Sequence, residues 1–205
     1  MDRRTTIQWM LAASAVWSFP EARGAQAGPA NPARGYGTDP KLLKAYRRGD
    51  FWPLTLSAQQ RRLAGVLADI IIPADAHSPS ASAVGIVEFI DEWISAPYPL
   101  HLKDRTIVLN GFTWLDAEGA RRFGKGFSDL DDSGRHGICD PICNELQAAA
   151  EHRGAARFFA VYRDLTAGGF YSTPVGRKDL NFIGNVPLAR FDGPPPALLK
   201  GLGLL

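Results

Sequence analysis

The amino-acid sequence predicts a mostly α-helical protein, in which a small helical core lies between extended arms rich in proline and glycine. Apolar residues recur at helical spacing in several segments, and no alternating pattern is longer than a few residues. The 15 prolines and 21 glycines of the 205-residue chain cluster at its two ends and in its middle. Because both residue types interrupt helices, the terminal clusters indicate arms rather than further helices.

We predict four regions from this pattern. They are a signal peptide at residues 1–27, an extended N-terminal arm at 28–56, the helical core at 57–168 and an irregular C-terminal arm at 169–205. Five helices are expected in the core. Such a length suits one domain with a sizeable core, or one domain with arms, and we favour the arms.

The first 27 residues resemble an export signal. Arg3 and Arg4 precede an apolar stretch at residues 9–19, and an A-Q-A sequence ends at residue 27. A membrane-spanning helix needs roughly 20 apolar residues, so this shorter stretch fits a cleavable signal instead. The paired arginines are typical of the twin-arginine route, which exports folded proteins. An ordinary secretion signal and a terminal helix are the alternatives.

The first core helix has clear start and stop signals. Ser57 and Gln60 have the spacing of a capping box, and Pro73 ends the apolar pattern that follows. Gly168 and Gly169 are typical of a helix C-terminus and are expected to end the fifth helix. The other segments with helical spacing run from near residue 80 to residue 96, and over residues 103–123, 142–150 and 155–166.

Charge and short motifs narrow the function classes. The chain has 23 basic and 21 acidic residues, a near balance that favours neither nucleic acid nor an anionic surface as a partner. The sequence contains no glycine-rich phosphate loop and no G-x-S-x-G nucleophile motif. It therefore offers no recognisable catalytic motif.

Cys139 and Cys143 are a candidate disulfide. On a regular helix, side chains four residues apart have Cβ atoms about 5–6 Å apart, further than the roughly 3.8 Å of a disulfide. An irregular turn at Pro141 could close that gap. Three alternatives stay open: a local disulfide, a bond to another subunit, and two free buried thiols. Zinc is not favoured, because no further ligand stands at a usual spacing.

Acid–base catalysis would depend on carboxylates, and Asp75 and Asp91 are the candidates for a small periplasmic enzyme. Helix capping and surface charge are the alternative roles of both residues. No histidine has a second histidine three to five residues away, so none is predicted to ligate a metal. Each is predicted to be a solvated or hydrogen-bonded surface residue: His77, His101, His136 and His152.

Residues 129–140, DLDDSGRHGICD, resemble a calcium-binding loop. Five residues fall at loop positions 1, 3, 5, 6 and 12, and they are Asp129, Asp131, Ser133, Gly134 and Asp140. However, His136 replaces an apolar residue, and aspartate replaces the bidentate glutamate at the last position. A free-standing secreted calcium-binding module is therefore one alternative function, and a polar loop between helices is the other interpretation of this segment.

Two long segments, residues 36–99 and 157–195, resemble the gluconate 2-dehydrogenase subunit 3 family, the small or gamma subunit of exported flavin-dependent sugar and sugar-acid dehydrogenases. The segments cover more than half of the mature chain, whereas residues 100–155 match weakly. The most specific motifs are WPLT at 52–55, DIIIPAD at 69–75, A-x-G to FID at 83–91, and GFYSTP-x-G at 169–176.

The resemblance implies a non-catalytic subunit without a cofactor of its own. In such complexes a large subunit holds FAD and oxidises the sugar, and a cytochrome subunit with haem c often passes the electrons onward. The small subunit carries the export signal and assists maturation of the large one. The expected location is the periplasm, with membrane association only through partners.

Both arms are candidates for contact with the large subunit. Proline-rich arms bury little surface by themselves, and aromatic residues concentrate binding energy at interfaces. The alternative is that the arms fold back onto the helices of this chain. The residues assigned to the interface are Tyr36, Phe51, Trp52, Phe170, Tyr171, Phe182 and Phe191. The apolar C-terminal tail after residue 196 indicates a further docking surface.

Overall fold

The computed structural model describes residues 39–182, 184, 190, 193–201 and 203–204. These residues form seven α-helices and no strand, which confirms the predicted mostly α class. Residues 1–27, the predicted signal peptide, lie outside the described residues. The helices are α1 (Ala58–Ile71), α2 (Ile86–Ser95), α3 (Pro99–Phe123), α4 (Asp132–Cys139), α5 (Arg153–Ser172), α6 (Pro174–Asp179) and α7 (Pro196–Gly201).

Helix α1 starts at the predicted capping box. The Ser57 hydroxyl accepts from the Gln60 amide at 3.3 Å, and the Gln60 side chain accepts from the Ser57 amide at 2.9 Å. Two amides that would have no partner at the helix start are satisfied in this way. The helix ends at Ile71, two residues before Pro73.

Helices α2 and α3 lie close to their predicted positions. A 3-10 turn at Ser82–Val84 precedes α2, which ends at Ser95 before Pro97. Helix α3 begins at Pro99 rather than at residue 103. Proline suits the first position of a helix because its fixed φ is already helical, and because an N–H at that position would have no partner within the helix.

The prediction of a fourth helix at residues 142–150 is wrong. Helix α4 lies earlier, at Asp132–Cys139, because the Asp131 carboxylate accepts from the Gly134 amide at 2.8 Å and caps its start. A 3-10 turn at Asp140–Ile142 follows, with Pro141 inside it. Residues 143–149 contain no α-helix.

Helix α5 continues past Gly168 and Gly169 to Ser172, so the predicted glycine stop is also wrong. Gly169 instead lies against the Phe89 side chain, and a Cβ there would be 2.7 Å from the ring. The C-terminal arm is accordingly not wholly irregular. Thr173 caps α6, and Pro196 is the first residue of α7.

The core lies between α1, α2, α3 and α5. Phe112 contacts Phe158 and Tyr162 edge-to-face, with ring centroids 5.9 and 5.6 Å apart, and the Tyr162 hydroxyl donates to the Ala64 carbonyl at 2.7 Å. Burial raises the pKa of Tyr162. Helices α3 and α5 approach closely at Gly111, where a Cβ would lie 2.0 Å from the Phe158 ring.

Candidate partner interface

The end of the N-terminal arm is fastened to α2 by one buried carboxylate. Asp91 is fully buried, and its Oδ1 accepts from the amides of Thr55 and Leu56, each at 3.0 Å. The Ser95 hydroxyl also donates a hydrogen bond to the Thr55 hydroxyl at 2.8 Å. The WPLT motif is therefore a structural attachment of the arm.

Arg61 completes this attachment from α1. Its guanidinium pairs with Asp91 at 2.6 Å and with Glu88 at 2.9 Å. The carboxylate of Asp91 is thus used by the arm and by α1 at once. Such saturation leaves Asp91 no accessible oxygen for a substrate, so the geometry does not support its predicted alternative as an acid or base.

Trp52 lies inside this chain, contrary to its assignment as a partner contact. It is 8% exposed and packs with Ala96 and Tyr98 in a second small core. The Trp52 and Tyr98 rings meet edge-to-face with centroids 6.0 Å apart. Because a large aromatic side chain gains most from burial, this part of the arm folds back onto its own helices.

The DIIIPAD motif shapes the connection between α1 and α2. Asp69 accepts from the amide and hydroxyl of Ser82, at 2.8 and 2.7 Å. Asp75 accepts from the amides of His77 and Ser78, at 2.7 and 2.8 Å. Those two amide bonds lower the pKa of Asp75. A carboxylate held ionised in a turn is a turn-forming group and not a proton donor at neutral pH.

The GFYSTP-x-G motif forms the corner between α5 and α6. Phe170 is fully buried in the main core, so its assignment to the interface is corrected. Thr173 accepts from the Gly176 amide at 3.0 Å. A Cβ at Gly176 would lie 2.2 Å from the Phe170 carbonyl oxygen, which leaves room only for glycine.

The remaining assigned residues differ in accessibility. Tyr171 is half-buried against Phe170, whereas Phe51 and Phe182 are 39% and 57% exposed. Tyr36 and Phe191 lie outside the described residues. Phe51 and Phe182 are therefore the assigned aromatic residues that the structure leaves available at the surface.

An apolar groove between α2 and α5 was not predicted. This α2–α5 groove has a volume of about 550 Å³. It is lined by Phe89 and Trp93 of α2, by Asp104 of α3, and by Val161, Asp164, Leu165, Gly168 and Ser172 of α5. The Trp93 indole donates to Asp104 at 3.0 Å. The sequence contains one indication of this groove, because Phe89 and Trp93 widen the apolar face of α2 beyond the stripe that the core needs.

His101 is a packing residue rather than the predicted surface residue. It is 2% exposed and lies against the Trp93 ring, with centroids 4.2 Å apart. Burial lowers its pKa. The neutral imidazole therefore serves as a flat ring in an aromatic cluster.

The segment that resembles a calcium loop is largely helical. Residues 132–139 form α4, and Asp131 is used as the cap of that helix. Asp129 pairs with Arg62. A calcium loop must wrap its oxygens around one point, and a helix with a capping aspartate does not do so. Over the residues that the structure describes, no group of three or more His, Cys, Asp or Glu side chains is arranged to hold a metal ion.

Cys139 and Cys143 are not bonded to each other in the structure. Cys139 is buried, whereas Cys143 is exposed and its thiol donates to the Asp140 carbonyl at 3.2 Å. Burial raises the pKa of the Cys139 thiol to about 12. The two thiols therefore differ strongly in accessibility.

The architecture is a helical protein whose motif residues mostly build its own fold and leave apolar side chains at the surface. The family model of gluconate 2-dehydrogenase subunit 3 matches residues 58–193, which is more than half of the chain and spans α1 to α6. The chain belongs to the gluconate 2-dehydrogenase subunit 3 family. No curated protein and no solved structure matches it. Among the described helices, none has the length and apolar character of a membrane span.

Proposed function

We propose that this chain is the non-catalytic small subunit of an exported flavin-dependent sugar or sugar-acid dehydrogenase. It binds the large subunit, stabilises it and accompanies it through export. The observation that carries the proposal is the family match across six of the helices, from residue 58 to residue 193. A subunit 3 is by its name part of a larger assembly.

The side chains at the surface support a binding role. Large apolar residues are exposed on the arm, on α2 and after α6. Covering these side chains with a partner would remove apolar surface from water and so favour binding. An interface that buried them would resemble the aromatic-rich contacts in which binding energy concentrates. The residues concerned are Phe51 at 39%, Leu54 at 41%, Phe89 at 36%, Leu180 at 56% and Phe182 at 57%.

The carboxylates that could have served catalysis support the same division of labour. Asp91 holds the arm, Asp69 holds Ser82, and Asp75 holds its own turn. In the proposed complex the large subunit holds FAD and oxidises the sugar. A cytochrome subunit with haem c then accepts the electrons, and this chain takes no part in the redox steps.

Mutual dependence between the two chains tests the proposal. The first step is to identify a flavoprotein dehydrogenase encoded beside this chain. We would then express that flavoprotein with and without residues 28–205 of this chain, and measure the soluble, FAD-loaded large subunit. The expected result is a large loss of soluble flavoprotein when this chain is omitted. Equal yields of soluble, FAD-loaded flavoprotein in both cultures would contradict the proposal.

The export role needs its own experiment. The double variant Arg3→Lys with Arg4→Lys replaces both arginines of the signal. It should retain the two chains in the cytoplasm as a complex, because the twin-arginine route requires the pair. The measurement is the distribution of both chains between periplasm and cytoplasm. Continued export of the large subunit with the double variant would contradict a shared export signal.

A further inference from the structure

We propose that the α2–α5 groove is where the large subunit inserts a segment of apolar residues flanked by lysine or arginine. This inference rests on the proposed function and adds to it the place of contact and the chemistry of the contacting segment. It commits to one occupant, a segment of the partner flavoprotein.

The apolar part of the groove is held open by the packing of two helices. Gly169 of α5 lies directly under Phe89 of α2, and any side chain there would push the ring away. Phe89 therefore stands beside α5 with 36% of its surface exposed, and half-buried Val161 and Leu165 continue the apolar lining. A preformed apolar lining of this kind suits an inserted side chain or short helix from a partner.

The charges in the groove specify the partner segment. Asp104 and Asp164 contribute carboxylates, and no lysine or arginine is among the described residues that line the groove. Asp104 accepts from the Trp93 indole through Oδ2, and Asp164 pairs with Arg163 through Oδ1 at 3.2 Å. With the Arg163 guanidinium counted against these two carboxylates, one negative charge is left beside the apolar lining. This charge favours a segment that carries a cation next to its apolar residues.

A second groove in the same molecule gives a matched comparison. It lies between α3 and α5, where Ile107, Trp114 and Phe158 supply an apolar lining. Its charged residues have opposite signs, Glu151 and Arg157. Complementarity to a basic segment therefore distinguishes the α2–α5 groove from an apolar groove of similar construction.

Two glycines on α5 allow a steric test that leaves the fold intact. Gly168 borders the α2–α5 groove and Gly154 borders the α3–α5 groove, and a Cβ at either position meets no atom within 4 Å. Arginine is a better helix former than glycine at both positions. Gly168→Arg adds bulk and a cation to the acidic groove, and Gly154→Arg is its control.

The experiment measures the affinity of each variant, made as residues 28–205, for the flavoprotein encoded beside this chain. We expect Gly168→Arg to weaken binding about tenfold or more, as at an interface hot spot, and Gly154→Arg to bind like the wild type. Circular dichroism and thermal melting of each variant alone verify that both remain folded. Equal binding by both variants would overturn the assignment of the groove.

A charge-reversal pair provides an independent test of the partner's chemistry. Asp164→Lys should weaken binding and reduce its salt dependence. Its control is Glu145→Lys, which removes a comparable exposed carboxylate that pairs with Arg157 at 3.5 Å, outside the groove. Binding by Asp164→Lys that is as strong as that of Glu145→Lys, or stronger, would overturn the assignment of a basic partner segment.

The binding measurements distinguish failure of the proposed function from failure of the groove. If the wild-type chain does not bind the flavoprotein at all, the proposed function is wrong. If the wild type binds and Gly168→Arg binds equally well, only the groove is wrong. Light scattering of this chain alone shows whether a second copy is the occupant, and a dimer broken by Gly168→Arg with unchanged flavoprotein binding would also overturn the inference.

Discussion

Arg61 and Asp91 form an ion pair, with 2.6 Å between Nη1 and Oδ2, in which the Asp91 side chain is 1% exposed and the Arg61 side chain 33%. The same carboxylate accepts the amides of Thr55 and Leu56. The pair thus joins α1, α2 and the N-terminal arm at one point. Because Trp52 lies three residues before Thr55, the position of the second small core depends on this junction.

Asp91→Ala should strongly destabilise the chain. The substitution leaves the buried Leu56 amide without its acceptor and the Arg61 guanidinium with Glu88 alone. We expect the free energy of unfolding to fall by about 2–4 kcal/mol, a range that allows for the partial exposure of Arg61. Urea denaturation followed by circular dichroism measures it. Asp132→Ala, at a side chain that is 89% exposed, should cost less than about 1 kcal/mol; similar losses from the two variants would contradict the role of Asp91.

Gly111→Ala should destabilise the crossing of α3 and α5. A methyl group would lie 2.0 Å from the Phe158 ring, so the buried ring must move. Overpacking of this kind costs about 1–3 kcal/mol, more than alanine gains as a helix former. Gly154→Ala, at an open position of α5, should instead stabilise the chain by up to about 1 kcal/mol. Thermal melting of both variants is the measurement, and a stabilised Gly111→Ala would refute the close approach.

Because of Glu92, the free energy of unfolding should fall as pH rises above the ordinary pKa of a glutamate carboxyl. Burial raises the pKa of its carboxyl above 4.5, and its Oε2 has no hydrogen-bond partner among the described residues. Between the ordinary and the raised pKa, the folded chain binds more protons than the unfolded chain, so each unit of added pH lowers the free energy of unfolding.

Glu92→Gln replaces the titrating carboxyl by an amide that does not titrate, and keeps the shape of the side chain. The free energy of unfolding of the variant, minus that of the wild type, should rise as pH increases from 4.5 through the raised pKa and then level off. Urea titrations of both proteins at a series of pH values provide the difference. A difference that stays flat, or that falls, would show that Glu92 is not buried as the structure has it.

Thiol reactivity should distinguish the two cysteines. Cys143 is exposed, whereas Cys139 is buried and its thiol has a pKa raised to about 12. Since the thiolate is the reactive form, Ellman's reagent should modify one thiol quickly in the native chain and the second only after unfolding. No reactive thiol in native or in denatured, unreduced protein would show a disulfide instead.

Helices whose start and stop signals are local could be predicted from the sequence. The capping box of Ser57 and Gln60 and the stop at Pro73 could be located because each depends on residues within one turn. Helix α4 was misplaced because its start depends on which aspartate caps it, and residues 129–140 contain several. The role of Gly169 is not predictable from local spacing, because it is a contact with Phe89 in a different helix.

The interface was harder to predict than the fold. The sequence predicts that Trp52 and Phe170 contact a partner, because aromatic residues concentrate at interfaces, yet both are packed within this chain. Their burial depends on contacts with Tyr98 and with the main core, which lie far away in the sequence. The α2–α5 groove depends likewise on the distance between two helices, so only the surplus width of the apolar face on α2 hinted at it.

The most direct measurement of the central claim is the mass and composition of what this chain forms with its flavoprotein neighbour. Residues 28–205 would be co-expressed with that flavoprotein, purified through a tag on the flavoprotein, and analysed by size-exclusion chromatography with light scattering. We expect one stable particle that contains both chains and bound FAD. A flavoprotein that elutes alone and fully loaded with FAD, while this chain elutes separately as a stable monomer, would contradict it.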